Sequence, residues 1–366
     1  MKNGLIVFVI LGRLGGNLST SKLAPICSIE SISKVYAFSE SDGNLQNEKL
    51  SYITLPAFFS KGKSYFFIRI LRWFYEPLQL FYYVLKYRPN FINGVYTLPK
   101  GLYSFVISKL LNRFCIISII GGKEEIETEF RFPKFWKTLN LFIIKHSWAI
   151  TCKGNKDLEY LKKEGIDTCK AYVFNGSIDL SRFRNHLKYR EIDLIFVGKF
   201  DTNKGPLRIL EIVKELVLEF KDFNCVLLGD GYLKKSVERE IITLGLQKNI
   251  KCIGFVDNPE FYYQQSKIFV LPSTNEGLST AMLESMSCGC VPIVSDVGNT
   301  SDAVKNKMNG ILINSYDDIH SYVSNIRMLI KDREIWSVYS RNAEITVTSY
   351  YSLKAQAQLY EKVLSI

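Results

Sequence analysis

The stretch from Lys267 to Asp296 reads K-I-F-V-L-P-S-T-N-E-G-L-S-T-A-M-L-E-S-M-S-C-G-C-V-P-I-V-S-D and places two carboxylates, Glu276 and Glu284, eight residues apart. Between them, Ser279 and Thr280 can cap a helix running from Ala281 to Cys288, which Gly289 then closes. A helix start offers free N–H groups and partial positive charge, so an anion binds there. Carboxylates beside that anion would repel it unless they accept hydrogen bonds from neutral hydroxyls, and sugars supply such hydroxyls. Upstream, the turn Gly198-Lys199-Phe200-Asp201-Thr202-Asn203-Lys204-Gly205 carries two ammonium groups. Fixed cations stabilise a departing diphosphate most where its charge is largest, in the transition state. Taken separately, a capped helix with two glutamates and a loop with two lysines are also what any solvated surface carries. It is their occurrence in one repeating frame that points to a site.

That frame is read from periodicity. Ile268 to Leu271 is an apolar run ended by Pro272, and Val291 to Ser295 is another; both suit strands buried on two faces. Before them, strands are expected at Ile192–Val197, Cys225–Leu228 and Ile250–Phe255. Helices are expected at Pro206–Phe220 and Tyr232–Leu244, the first opened by a proline suited to its first turn. Gly310–Ile313 reads as a last strand and Tyr316–Lys331 as an amphipathic helix. Strands alternating with helices of this length imply a parallel, doubly wound α/β sheet whose ligands collect at the carboxyl ends of the strands. Gly229-Asp230-Gly231 is a tight turn at that edge, which places Asp230 near a bound nucleotide.

The first half follows a similar rhythm. Strands are expected at Leu5–Leu11, Lys34–Ser39, Tyr52–Pro56, Asn90–Val95, Phe114–Ile120 and Trp148–Cys152, with helices at Tyr103–Leu111, Phe135–Lys145 and Lys156–Glu164. Two glycine pairs follow strands: Gly15-Gly16 after the first, and Gly121-Gly122 after Phe114–Ile120. Such pairs let backbone approach a ligand closely. The turn-rich Val173–Asp179 and the polar Ser181–Glu191 read as a linker between domains. The segment Lys61–Pro89 holds Lys61, Lys63, Arg69, Arg72, Lys86 and Arg88 against a single Glu76, together with ten aromatics. Two readings stand for it: an interfacial helix on an anionic membrane surface, or a pair of helices covering a sheet with Pro77 between them.

Bulk properties narrow the classes. The chain has 366 residues, 47% hydrophobic and 23% charged, enough for two domains with separate cores. Its net charge of +11 sits in residues 1–170, with 24 Lys and Arg against 13 Asp and Glu; the remainder holds 23 against 23. Such asymmetry points to an anionic partner, and without a nucleic-acid motif a membrane surface or an anionic lipid-linked substrate fits better than nucleic acid. No apolar run reaches the ~20 residues of a spanning helix. Eight cysteines without paired spacing and three histidines give no zinc pattern, and free thiols suit a reducing cytosol. A cytoplasmic protein, peripheral on the inner face of the membrane, is expected.

The setting N-E-G-L-S-T-A-M-L-E-S-M-S-C-G-C-V-P-I-V around Glu276 and Glu284 resembles the signature of the retaining glycosyltransferases of family 4. That resemblance implies the GT-B fold: two Rossmann-like, doubly wound domains facing a central cleft. Residues 1–174 would bind the acceptor, with a last helix at 352–366 crossing back to them, and 175–351 would bind a nucleotide-sugar donor, a UDP-sugar in the first instance. It implies Lys199 and Lys204 on the leaving diphosphate, Glu276 on the donor sugar and Glu284 on the ribose. Gly198, Gly277, Leu278, Ser279 and Thr280 would lie near the phosphates, and Phe255 at the base. Gly15, Gly16, Gly121 and Gly122 would face donor phosphates and acceptor. Two departures stand out: lysine at 199 where arginine is usual, and no histidine near Gly121, since His146, His186 and His320 lie elsewhere.

The function so implied is transfer of a sugar, with retention, to a glycan or lipid-linked acceptor in synthesis of a bacterial capsule, O-antigen or exopolysaccharide. Neither cofactor nor metal is expected, because no Asp-x-Asp occurs where a sugar-nucleotide metal would sit. A non-hydrolysing epimerase of the same architecture is an alternative that would interconvert donors without an acceptor. A non-catalytic membrane- or nucleic-acid-binding module is another, and saturable binding of a nucleoside diphosphate would exclude it.

Overall fold

Seven strands in the first half and six in the second assemble into two parallel sheets in a computed structural model that describes residues 4–11, 17–40, 43–56, 59, 66–127, 132–186 and 189–365. The chain divides into two units, Met1–Ser177 with Leu353–Ile366, and Ile178–Ser352.

In the first unit the strands are β1 Leu5–Ile10, β2 Ile32–Ser39, β3 Leu50–Thr54, β4 Phe91–Val95, β5 Phe114–Ser118, β6 Ala149–Cys152 and β7 Ala171–Val173. They lie in the order β3-β2-β1-β4-β5-β6-β7. The near-continuous burial of β1, β4 and β6 explains why these strands read as apolar runs rather than alternations. The helix Leu353–Leu364 closes this unit: its buried Tyr360 accepts a hydrogen bond from Asn93 Nδ2 on β4 at 2.9 Å. β7 overlaps the turn-rich passage only at Val173 and is not expected as a strand, because a three-residue edge strand has no periodicity of its own.

The segment Lys61–Pro89 is not a pair of helices broken at Pro77. From Phe66 to Tyr87 it is one helix of 22 residues, continuous through the proline. Pro77 removes the hydrogen bond that the Trp73 carbonyl would accept, and Trp73 is on the exposed side, where water can replace it. Arg72 bonds Glu76 at 3.2 Å and Glu40 at 2.6 Å, and Lys100 pairs with Glu76, so these ion pairs tie the helix to the end of β2 and to the turn Thr97–Gly101.

In the second unit the strands are β8 Ile192–Val197, β9 Cys225–Leu228, β10 Ile250–Gly254, β11 Ser266–Leu271, β12 Val291–Ser295 and β13 Ile311–Ile313. Their order, β10-β9-β8-β11-β12-β13, reverses direction between β8 and β11. These two strands pair in parallel with Leu194 beside Ile268 and Ile195 beside Phe269. Helices Pro206–Leu216, Lys234–Thr243, Thr280–Ser287 and Ile319–Lys331 pack on this sheet. A further helix, Arg333–Tyr350, is not expected from periodicity; the Asp332 carboxylate caps it by accepting from Glu334 N and Ile335 N. Only that residue separates it from the helix before.

Candidate active site

At a point where strand order reverses, the loops leaving two neighbouring strands diverge and leave a crevice at their carboxyl ends. In the second unit these are the loop after β8, which carries Lys199 and Lys204, and the loop after β11, which carries Glu276. Lys204 and Glu276, 72 residues apart, form an ion pair there, and the Glu276 side chain is only 8% exposed. Ser273 Oγ donates to the same Glu276 oxygen at 2.8 Å.

The two loops are tied together by neutral groups. The Asn203 side-chain oxygen accepts from Thr274 Oγ1 at 2.7 Å and from Asn275 N at 2.9 Å, while its amide donates to the Asn275 carbonyl at 3.0 Å. Arg208 Nη1 donates to the Pro272 carbonyl at 3.0 Å. Gly205 turns the chain into the helix Pro206–Leu216 with φ +67°, and a Cβ there would meet the Pro272 carbonyl at 2.7 Å. Glycine is therefore required by both conformation and space.

Neighbouring turns lock against this pair of loops. Phe200, fully buried, donates its N–H to the Asp230 carbonyl at 2.9 Å, and Gly198 N donates to Leu228 O at 3.0 Å. Gly298 lies so close to the β11 loop that a Cβ would collide with the Glu276 carbonyl, while Asn299 N donates to the Gly277 carbonyl at 2.9 Å. Gly277 itself has open space around it, Leu278 is half-buried and Thr280 exposed. Ser279 caps the helix Thr280–Ser287 as expected, its hydroxyl accepting from Met282 N at 3.3 Å. The Asp230 side chain and Phe255 are exposed, the latter at 75%, at the carboxyl ends of β9 and β10.

Glu284 lies on the buried side of that helix. Burial pushes its carboxyl up to about 7, against the pull of the Arg182 charge and the Tyr263 hydroxyl. Arg182 is held in turn by Glu260 at 2.8 Å and by the Asp257 carbonyl. The structure thus joins Lys204 to Glu276 and sets Glu284 within the field of Arg182. Lys199 is largely exposed and lies 3.6 Å from Asp201. Among the described residues it makes no ion pair with either glutamate. Sequence reasoning does not reach Arg182, Asn203, Ser273 or Tyr263. Arg182 sits in a stretch that reads as linker; the others are polar groups whose importance depends on which strands are neighbours.

In the first unit, Gly121 and Gly122 follow β5, and the Glu125 carboxylate accepts from Gly121 N and Ile120 N at 2.8 Å and from Thr97 N at 2.6 Å. Gly122, at φ +59°, leads the short helix Gly122–Ile126. Gly15 and Gly16 lie outside the described residues. Among the described residues no cluster of three or more His, Cys, Asp or Glu could hold a metal ion.

Known proteins resemble this chain in sequence and in fold. The family model described as Glycosyl transferases group 1 matches residues 177–346. The chain is 26% identical over 289 residues, 74% of either chain, to the UDP-Gal:alpha-D-GlcNAc-diphosphoundecaprenol alpha-1,3-galactosyltransferase of Escherichia coli. A glycosyltransferase of Rickettsia africae has the same fold, with a TM-score of 0.78 at 16% identity over 99% of both chains. Anabaena Alr3699/HepE, solved in complex with UDP, gives 0.74 at 13% identity, again over 99% of both.

Proposed function

Because this chain belongs to the group 1 glycosyltransferases, through a domain spanning residues 177–346, we propose that it transfers a sugar from a UDP-sugar to a lipid-linked glycan. The product would serve synthesis of a bacterial surface polysaccharide, and the sugar would keep its anomeric configuration. The single observation that carries this reading is the Lys204–Glu276 pair at the β8/β11 reversal, beside a helix start capped by Ser279. A diphosphate finds Lys204, Lys199 and the N–H groups of that helix; sugar hydroxyls find Glu276; ribose hydroxyls find Glu284. The UDP bound to a protein of this fold and the UDP-galactose and diphosphoundecaprenol in the relative's name support the choice of donor and acceptor class.

The proposed reaction needs no protein nucleophile. The acceptor hydroxyl oxygen forms its bond to the sugar C1 on the face that the diphosphate leaves, the C1–O bond to phosphate breaks, and the hydroxyl proton passes to the departing phosphate oxygen. Lys204 and Lys199 stabilise the charge that accumulates on that oxygen. The reading further holds that no divalent metal takes part, since ammonium groups occupy the role of counter-charge.

The test is transfer from UDP-sugars to a diphosphate-linked glycolipid, with the configuration of the product read by NMR coupling constants. An inverted product would overturn retention, and failure of every UDP-sugar to bind would overturn the donor assignment. Turnover is expected to persist in excess EDTA; its loss, with rescue by magnesium, would contradict the metal-independent scheme.

The helix Phe66–Tyr87 belongs to the same proposal. Leu71, Phe74, Leu78, Tyr82 and Leu85 form one exposed stripe along it, joined by Trp73, and Lys86 stands over the Tyr82 and Tyr87 rings. Among the described residues no helix is long and apolar enough to cross a membrane. The stripe suits one that lies in the interface, at the inner face where a lipid-linked acceptor would be met.

A further inference from the structure

Two lysines of the first unit, one buried and one half-buried, lack a carboxylate at ion-pair distance among the described residues. Lys22 lies on the helix Asn17–Ser28 and is 5% exposed. Lys153 follows β6, and its ammonium donates to the Asn175 carbonyl at 3.3 Å. The chain around Asn175 runs against the helix that carries Lys22: Ser177 N donates to the Ser21 carbonyl at 2.8 Å, and a Cβ on Gly176 would meet that same carbonyl at 2.8 Å. The Lys153 charge acts on Lys22, so the two ammonium groups share this neighbourhood. Among the described residues neither forms an ion pair within 4.0 Å.

The acids nearby are engaged elsewhere. Glu125 turns its carboxylate to the amides of Ile120, Gly121 and Thr97. One Asp157 oxygen accepts from the Lys153 backbone N–H at 3.1 Å, and the other lies where it would collide with a Cβ on Gly122. Burial, then the Lys153 charge, hold the Lys22 ammonium well below the usual lysine range, and the Glu125 charge only partly opposes this. Burial lowers Lys153 as well, and the Asp157 charge only partly opposes it. The buried Asn175 Oδ1 has no hydrogen-bond partner among the described residues. Two like charges kept together in a poorly solvated place destabilise a fold unless something of opposite sign binds between them.

We propose that Lys22 and Lys153 form a phosphate-binding site for the acceptor, gripping the phosphate through which its glycan is joined to lipid. The inference rests on the reading of the acceptor as a lipid-linked glycan. It gives the first unit an anion site of its own, beside the Gly121–Gly122 turn, while the donor diphosphate belongs to Lys199 and Lys204 in the second.

The experiment is calorimetric titration of the full chain, saturated with UDP, using sodium pyrophosphate and then a short prenyl diphosphate. Both are expected to bind and to compete with each other. Lys22→Met and Lys153→Met should each weaken pyrophosphate binding about tenfold or more, the loss of one charge-assisted contact, with UDP affinity unchanged. In buffer without multivalent anions, Lys22→Met should also raise Tm, because it removes an unbalanced buried charge. Unchanged pyrophosphate affinity in both variants overturns the site, and Lys153→Met alone decides the matter if Lys22→Met does not fold. UDP affinity falling in parallel, or pyrophosphate binding only when UDP is absent, would assign the lysines to the donor instead. A wild-type chain that does not bind UDP at all defeats the donor assignment made above; pyrophosphate titration without UDP then still tests this site.

Discussion

Lys204 and Glu276 are bound to one another, and that pairing sets what a substitution at either position does. Lys204→Ala removes the cation proposed for the leaving group and leaves Glu276, 8% exposed, with Ser273 as its remaining hydrogen-bond donor. Turnover should fall ~10²-fold or more, by analogy with loss of one oxyanion donor, as measured by kcat at saturating UDP-sugar. Glu284 behaves differently because burial holds its carboxyl up to about 7. Between the ordinary glutamate range near 4.5 and about 7, the folded chain keeps a proton that the unfolded chain has released. Stability attributable to this group therefore falls as pH rises through that window and is level above it. Glu284→Gln should remove that slope from Tm measured against pH and raise Tm at pH 8, while weakening UDP binding if the carboxylate holds the ribose. A wild-type Tm that does not decline between those limits relative to the variant would contradict the buried, proton-retaining carboxyl. These residue types and their spacing were legible in the sequence. That Lys199 stays exposed beside Asp201 was not, because a side chain's partner depends on how its loop is folded.

At the scale of elements, the site depends on a helix start and on turns packed against it. Ser279→Ala removes the hydroxyl that accepts from Met282 N and should cost about 1 kcal/mol of stability, seen as a lower Tm, with a weaker affinity for UDP in titration. Gly298→Ala should be more damaging to function than to folding: its Cβ would displace the Glu276 carbonyl, at a residue with φ +54°. UDP binding should be lost while the circular dichroism spectrum is kept; full affinity would mean that the β11 loop is not part of the donor site. Strand–loop–helix order and the Ser279 cap were readable because each is decided within one or two turns of chain. Pro77 was misleading for the same reason. Its local cost is fixed, but the long apolar face and the Arg72–Glu76 pair that offset it are properties of the whole helix Phe66–Tyr87.

For the molecule as a whole, charge and exposed apolar surface fall in the same half of the chain. The excess of 11 positive charges lies in residues 1–170, and the exposed stripe of Leu71, Phe74, Leu78, Tyr82 and Leu85 lies there too. The protein should sediment with vesicles containing anionic lipid, less so as salt rises, and replacement of Phe74 and Leu78 by Glu should abolish sedimentation. Indifference to lipid charge and to these substitutions would leave the stripe without its proposed partner. The parallel α/β class, the buried strands and the capped helix between Glu276 and Glu284 were determined by the sequence alone, since hydrophobic period, proline and cap chemistry act over a few residues. The meeting of Lys204 with Glu276, the charge of Arg182 acting on Glu284, and the burial of Lys22 near Lys153 were decided only by tertiary structure. Each depends on which strands lie side by side, and that order is set by long-range packing of strands that look alike in sequence: β8 lies beside β11, not β10, and nothing within either strand says so.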